Sequence, residues 1–205
     1  MDISQSIGVL FGSSWASGIN LYMTVAFLGI AQRMHWISLP GDMQNLAHPL
    51  VIAGAIVLYA IEFVADKVPV VDHLWDSVHT IIRPAAGAAL GYMAMTEMGP
   101  VVQTLTALTT GGIAASSHLT KATTRVTVNS TLVPGANIGA SVAEDASVAG
   151  MMYMILKHPV IAGIIVIGFV IFAVWFLKKM FHLMRKVFSA FFLRDKASSA
   201  RSNTA

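Results

Sequence analysis

The chain contains no cysteine and has few charged residues. Without cysteine, a disulfide, a thiolate nucleophile and a cysteine-ligated metal site are all excluded. Charged residues make up only 11% of the 205 residues, whereas a soluble domain carries about 25%. The chain therefore lacks much of the charged surface that solvates a globular domain, and this favours a membrane protein.

The apolar residues form runs that are long enough to cross a membrane. Hydrophobic residues are 56% of the chain, and the mean hydropathy is +0.70. The clearest run, Pro159 to Leu177, contains no charged residue, and a helix of that length crosses ~30 Å of hydrocarbon. Since no basic residues precede the first apolar run, we expect a retained helix there rather than a cleaved signal.

The order of apolar runs predicts an all-α fold, a polytopic membrane helix bundle with five to six membrane-embedded helices. The first predicted span is Ile7 to Ala31, and the second is His48 to Ala65. Two polar segments are broken by proline, at Pro69 and Pro134. Later apolar segments begin near Pro84, Pro100, Ile138 and Pro159. We expect residues 1–177 to form one membrane domain with no soluble domain attached.

The C-terminal segment, residues 178–205, is basic. It holds seven Lys or Arg residues against one acidic residue, which predicts a cytoplasmic C-terminus. Its apolar and basic residues fall on different sides of a helical wheel. This pattern predicts an amphipathic helix on an anionic leaflet, followed by a disordered tail.

The densest group of charges lies in the stretch "EFVADKVPVVDHLWDSVHTIIRP", Glu62 to Pro84. Helical periodicity places one row of ionisable groups within an arc of about 60°: Asp72, Asp76, His79 and Arg83. Glu62 and Asp66 lie four residues apart at the end of the preceding helix. A second row falls within about 80° on a later helix: His118, Lys121, Arg125 and Asn129.

The cost of burying charge limits where these rows can lie. An ionised side chain at the centre of a bilayer costs about 2.5–3.5 kcal/mol. Six such groups facing lipid would cost more than the ~5–15 kcal/mol that stabilises a typical domain. The rows must therefore pair with each other, line a wet cavity or lie at the membrane interface.

A purely structural interpretation of these residues stays open. Arg83 is spaced to pair with Asp76 on its own helix, and Lys121 and Arg125 could neutralise the acidic row. Ser141 and Glu144 have the spacing of a capping box, so Glu144 could complete a helix start. In that case the charges would only hold helices together.

Several long segments carry a resemblance to a known family: "EFVADKVPVVDHLWDSVHTIIRPAAGAALG", "HLTKATTRVTVNSTLVPGANIGASVAEDASVAG" and "ASGINLY". They resemble the bacterial membrane family catalogued as domain of unknown function 4126, over roughly Ser13 to Leu177. The positions that match the family pattern are Glu62, Asp66, Lys67, Pro69, Asp72, Asp76, Arg83, Lys121, Arg125, Asn129, Asn137, Ser141, Glu144 and Asp145. The resemblance implies a multi-pass protein of the bacterial inner membrane but supplies no reaction.

We expect a carrier or flippase-like protein for a small ion or an anionic lipid. Two proline-broken segments with opposed charges resemble the broken helices that build midplane sites in transporters. The predicted substrate- or ion-binding residues are Glu62, Asp66, Asp72, Asp76, His79, Arg83, Lys121, Arg125, Asn129, Glu144 and Asp145. Membrane lipids are the expected partners and an oligomer is possible, whereas no nucleic acid and no cofactor is predicted.

Two other classes of function stay open. Asp66-x5-Asp72-x3-Asp76 resembles the aspartate-rich Mg²⁺ motifs of enzymes that act on lipid phosphates. Its spacing is wider than in those enzymes, and a second aspartate motif is absent, so no catalytic residue is predicted and the question of a metal is open. The remaining class is a structural or assembly subunit, in which the same rows would join helices or subunits.

Overall fold

The computed structural model describes the backbone of residues 3–130, 133 and 135–202, and their side chains except at 3, 69, 129, 184 and 187–202. This part of the chain is almost entirely helical and contains no β-strand, which confirms the all-α class. Its α-helices are α1 (Ile3–Ile19), α2 (Leu21–Arg33), α3 (Pro49–Ala65), α4 (Pro69–Ala94), α5 (Pro100–Ser130), α6 (Ala136–Lys157) and α7 (Pro159–Ser202). Short 3-10 segments, Gly41–Ala47 and Thr96–Met98, precede α3 and α5.

Proline marks the start of four of these helices. Pro49, Pro69, Pro100 and Pro159 each occupy the first position, where the missing N–H is not needed and the fixed φ suits a helix. Pro84 behaves differently, because α4 continues through it. The residues after Pro84 are therefore the second half of a 26-residue helix rather than a short segment of their own.

The predicted first span, Ile7 to Ala31, is divided in the structure. Asn20 has extended backbone angles, φ −142° and ψ 97°, and its side chain accepts a hydrogen bond from the backbone N–H of Met23. An asparagine in that conformation is a strong N-cap, so α1 ends before it and α2 begins after it. The break leaves the last carbonyls of α1 without partners in their own helix.

Helix α1 lies at the centre of the bundle, where it contacts α4, α5, α6 and α7. Helices α4 and α5 pack along each other, while α2 and α3 form a pair at the side. Apolar side chains of α1, α2 and α6, among them Leu10, Leu28 and Met152, fill a buried core. The arrangement brings the end of α1 together with the end of α3, the start of α4 and the start of α6.

Membrane association has one direct structural sign. Among the described residues, the segment Pro159–Leu183 is long and apolar enough to cross a membrane, and the bent pair Gly41–Ala47 and Pro49–Ala65 would count as a second. The five to six embedded helices, the inner membrane and the cytoplasmic C-terminus stay predictions. The apolar face predicted beyond residue 186 lies outside the described side chains.

Close packing around α1 requires a residue without a side chain at Gly18. A Cβ placed there would lie 2.0 Å from Oγ of Ser117 and 2.2 Å from the carbonyl oxygen of Ala114. Because one of these atoms belongs to the backbone of α5, a side-chain rotation alone cannot relieve the overlap. The α1–α5 distance is therefore fixed by Gly18.

We expect Gly18→Ala to destabilise the protein by about 1–3 kcal/mol through overpacking. The matched control is Gly112→Ala in α5, where a new Cβ would meet nothing within 4 Å. There the better helix propensity of alanine should raise the free energy of unfolding by up to ~1 kcal/mol. Thermal unfolding of the purified variants measures both changes. Equal stability of the two variants would contradict the close α1–α5 contact.

Candidate functional site

The two predicted charge rows meet in the interior and form one ionic cluster. Its members are held within 4.0 Å of an oppositely charged partner. The cluster comprises five carboxylates and three cations: Glu62, Asp66, Asp72, Asp76, Glu144, Arg83, Lys121 and Arg125. Glu144 has the most exposed side chain of the set, at 15%. The remaining members are buried.

Arg83 of α4 connects three other helices. Its Nη2 donates to Oε1 of Glu62 on α3 at 2.5 Å. Its Nη1 donates to the carbonyl of Gly18 on α1 at 3.2 Å and to Nδ1 of His118 on α5 at 3.0 Å. Asp76, two turns earlier on α4, lies 3.5 Å from the same Nη1. Both terminal nitrogens of Arg83 are therefore engaged, whereas its buried Nε has no hydrogen-bond partner among the described residues.

Lys121 of α5 lies at the centre of the cluster. Its Nζ is 3.3 Å from Asp66 and 3.3 Å from Glu144, with Asp76 at 3.9 Å and Glu62 at 4.0 Å. It also donates to the carbonyl of Ile19 at 3.2 Å. One ammonium group thus serves acids from α3, α4 and α6.

Arg125, one turn further along α5, binds the start of α6. Its Nε and Nη2 donate to the two carboxylate oxygens of Glu144, each at 2.7 Å, which is the bidentate geometry that makes such pairs strong. Its Nη1 donates to Oδ1 of Asn137 at 2.6 Å and to the backbone carbonyl of Asp66 at 3.2 Å. Asp72 lies 3.7 Å from this Nη1.

The break at Asn20 completes the cluster from the side of α1. Gly18 and Ile19 are the last residues of α1, and their carbonyls accept from Arg83 and Lys121. Carbonyls at a helix C-terminus lack intrahelical donors and carry the negative end of the helix dipole. They are therefore suitable acceptors for buried cations.

The protonation of His118 follows from its partners. An arginine side chain can only donate hydrogen bonds, so Nδ1 of His118 accepts the hydrogen bond from Arg83. The hydroxyl of Thr80 donates to the carbonyl of Asp76, so it accepts from Nε2–H of His118 at 3.1 Å. With one ring nitrogen accepting and the other donating, His118 is neutral and adds no positive charge to the cluster.

The buried charges do not balance. With all acids ionised, the five carboxylates outnumber the three cations by two. Several carboxylate oxygens also have no hydrogen-bond donor within the described residues. These oxygens are Glu62 Oε2, Asp66 Oδ1, Asp72 Oδ1, Asp72 Oδ2 and Asp76 Oδ1. The site therefore has unused acceptors as well as excess negative charge.

Two predicted site residues, His79 and Asp145, lie apart from this centre. His79 donates from Nδ1 to the carbonyl of Trp75 at 2.7 Å, and its Nε2 is 3.0 Å from the hydroxyl of Tyr22. Asp145 accepts from the amide of Asn20 at 3.0 Å rather than from a cation. The side chain of Asn129 lies outside the described residues. Whether any of these residues binds a substrate stays a prediction.

The predicted capping-box role of Glu144 is not what the structure shows. Helix α6 begins at Ala136, after Gly135 in a left-handed conformation with φ 79°. Ser141 therefore lies inside the helix, where its buried hydroxyl has no hydrogen-bond partner within the described part of the chain. Glu144 instead faces Arg125 and Lys121, because the helix start is set by the glycine and not by the serine.

Sequence reasoning left Asn20, Tyr22 and the α1 carbonyls out of the site. Asn20 carries a usable signal, because an amide between two apolar runs favours a helix break and needs partners when buried. The carbonyls of Gly18 and Ile19 carry no such signal, since every residue has one.

The metal-dependent alternative finds no preformed site here. Asp66, Asp72 and Asp76 face the cations of α4 and α5 rather than a common point. Throughout the described part of the chain, no three His, Cys, Asp or Glu side chains are grouped to hold a metal ion.

The fold and the cluster define a class of protein, an α-helical bundle that buries an unbalanced set of charges. The family described as "Domain of unknown function (DUF4126)" matches residues 7–179, which is most of the chain. The chain belongs to this family, and the resemblance in its motifs is thereby confirmed. Comparison with curated proteins and with solved structures found no match.

We expect Arg125→Ala to cost about 3–5 kcal/mol, because it leaves Glu144 and Asp72 without their closest cation. Arg33→Ala is the matched control, since Arg33 is exposed at the end of α2. The double variant Arg125→Ala/Glu144→Ala should lose less than the sum of its single changes. Thermal unfolding of the wild type, the two single variants and the double variant tests the Arg125–Glu144 pair, with Arg33→Ala measured beside them. Strictly additive losses of stability would contradict the pairing.

Proposed function

We propose that the chain is an integral membrane carrier that binds and moves a small cation, the proton included, through the buried cluster. The observation that carries this proposal is the excess of two buried carboxylates over cations. An ion network with a purely structural role needs no such excess. Electroneutrality of the buried cluster calls for a positive species from outside the chain.

The energetic argument supports an exchangeable ion. Burying an unpaired ionised carboxylate costs several kcal/mol, even after relaxation. A typical protein is stabilised by only about 5–15 kcal/mol, so two uncompensated charges would consume much of that stability. Binding a proton or another small cation removes the penalty, and releasing it restores the charge.

The broken first helix supports transport rather than a static site. Discontinuous helices place free backbone groups at midplane ion sites in many transporters. Here the break at Asn20 directs the carbonyls of Gly18 and Ile19 to the cluster. A route from water is offered where Glu144 is 15% exposed and Asp76 is 8% exposed.

A cation fits this site better than an anionic lipid does. Arg83, Lys121 and Arg125 each contact at least two carboxylates. A phosphate headgroup would have to displace those carboxylates and would leave still more buried negative charge uncompensated. A cation would instead find carboxylate oxygens that lack donors.

Asp72 provides the test, because neither of its buried oxygens has a hydrogen-bond donor. We expect proteoliposomes with the wild-type chain to carry protons, Na⁺ or K⁺ down an imposed gradient. Asp72→Asn should lower that flux by roughly tenfold or more, because it removes a charge that attracts the cation. It should leave thermal stability unchanged or higher, because the buried carboxylate has only the 3.7 Å ion pair with Arg125 and no hydrogen-bond donor among the described residues.

Glu97→Gln is the matched control, since Glu97 is an exposed residue of the short segment Thr96–Met98 and is not a member of the cluster. It should change neither the flux nor the stability. Absence of wild-type flux for all three cations, together with a loss of stability in Asp72→Asn, would favour the structural interpretation and overturn the carrier.

A further inference from the structure

Helix α3 is the least embedded helix that contributes to the cluster. Only Ile52, Ala55, Glu62 and Ala65 are buried among its residues. Large apolar side chains elsewhere on the helix are exposed, for example Leu50 at 76% and Val64 at 63%. Helix α3 packs mainly against α2, and little of its surface is used to attach it to the rest of the bundle.

A shallow apolar groove lies on the exposed face of α3, near the start of α4. It has a volume of about 580 Å³ and is lined by Val57, Ile61, Val64, Val68 and Val71. The side chains that line it are themselves exposed. Contact between α3 and α4 is sparse, and the buried ion pair of Glu62 with Arg83 links the two helices directly.

Both ends of α3 adjoin breaks in the helical backbone. At its start, the axis bends by 71° between Gly41–Ala47 and Pro49–Ala65. At its end, a short turn separates Ala65 from Pro69, where α4 begins. Helix α3 can therefore change its tilt without unwinding a neighbouring helix.

Glu62 joins this loosely attached helix to the centre of the bundle. Its Oε1 accepts from Arg83 at 2.5 Å, whereas its Oε2 is buried and has no donor among the described residues. Glu62 also lies in the last turn of α3, where the helix dipole disfavours a negative charge. Asp72, in contrast, lies in the first turn of α4, where the dipole favours one.

We infer that Glu62 is the residue that takes up and releases a proton, and that its ion pair with Arg83 is the latch that holds α3 against α4. This inference rests on the proposed function, and it selects the proton among the small cations. One proton leaves hydronium, whose O–H bond breaks to give water, and forms an O–H bond at Oε2 of Glu62. Arg83 keeps its charge, so the salt bridge becomes a hydrogen bond from the guanidinium to a neutral carboxylic acid, and α3 separates from α4.

Other charged and titratable groups surround this latch on every neighbouring element. Those that face Glu62 or share its cations are Tyr22 of α2, Tyr59 and Asp66 of α3, Asp76 of α4, His118 and Lys121 of α5, and Glu144 of α6. A pH dependence of the wild type alone would therefore not identify the residue, and a Glu62 variant is required.

The absence of native cysteine permits a direct test, because an introduced thiol is the only one in the chain. Ala65→Cys places a thiol on the buried side of α3, and Ala60→Cys places one on its exposed side. The measurement is the rate of reaction with N-ethylmaleimide in liposomes at several pH values. Dividing the Ala65→Cys rate by the Ala60→Cys rate cancels the effect of pH on thiol reactivity.

We expect this ratio to rise roughly tenfold as the pH falls, because protonated Glu62 shifts the population toward the open state. In the Glu62→Gln background it should be high and independent of pH, whereas Glu97→Gln should behave like the wild type. A ratio that stays low at every pH, or that still changes with pH in Glu62→Gln, would overturn the inference. The first of these criteria needs no Glu62 variant, so it holds even if Glu62→Gln fails to fold.

Proton flux is measured in the same liposomes and separates the two proposals. Proton flux with a flat labelling ratio would overturn the latch and leave the carrier standing. A pH-dependent ratio without flux of protons, Na⁺ or K⁺ would support the latch as a switch and overturn the carrier. A flux of Na⁺ or K⁺ without protons would overturn the selection of the proton.

Discussion

The burial of three cations is the constraint on which the rest of this structure depends. Arg83 and Arg125 are fully buried, and Lys121 is 5% exposed. Since a buried cation without partners costs several kcal/mol, five helices must supply acceptors at one place. This requirement explains why α1 ends at Ile19, whose carbonyl binds Lys121, and why Glu144 of α6 turns toward α5 and not toward its own helix start.

The sign of the imbalance determines which functions the cluster can serve. A cluster that only joined helices would be most stable with equal numbers of acids and cations, because each unpaired buried charge is a penalty. Here the surplus is negative, and the cations are already engaged by carboxylates and carbonyls. A positive ligand reduces the penalty, whereas an anionic ligand increases it. Electrostatics thus separates a cation site from a lipid-phosphate site, although both use the same residue types.

How far the sequence predicts this site depends on the range of each interaction. Periodicity alone puts Asp72, Asp76 and Arg83 on one face of a helix, because the positions within a helix are a local property. The same local rule fails for Ser141, since capping-box spacing does not tell whether a helix starts there. The hydrogen bond that Arg125 donates to Asn137 and the helix break at Asn20 are tertiary effects. They satisfy buried groups that only the assembled bundle brings together.

Two of the five carboxylates lie in unequal environments, and this inequality gives the proposed latch a direction. Asp72 is at the positive end of the α4 dipole, and Glu62 is at the negative end of the α3 dipole. A proton that enters the cluster is therefore favoured at Glu62, the residue that links α3 to Arg83. By linkage, if protonation of Glu62 releases α3, then release of α3 must raise the proton affinity of Glu62 by the same factor. Any partner or lipid that binds the separated form of α3 would consequently also favour proton uptake by the cluster.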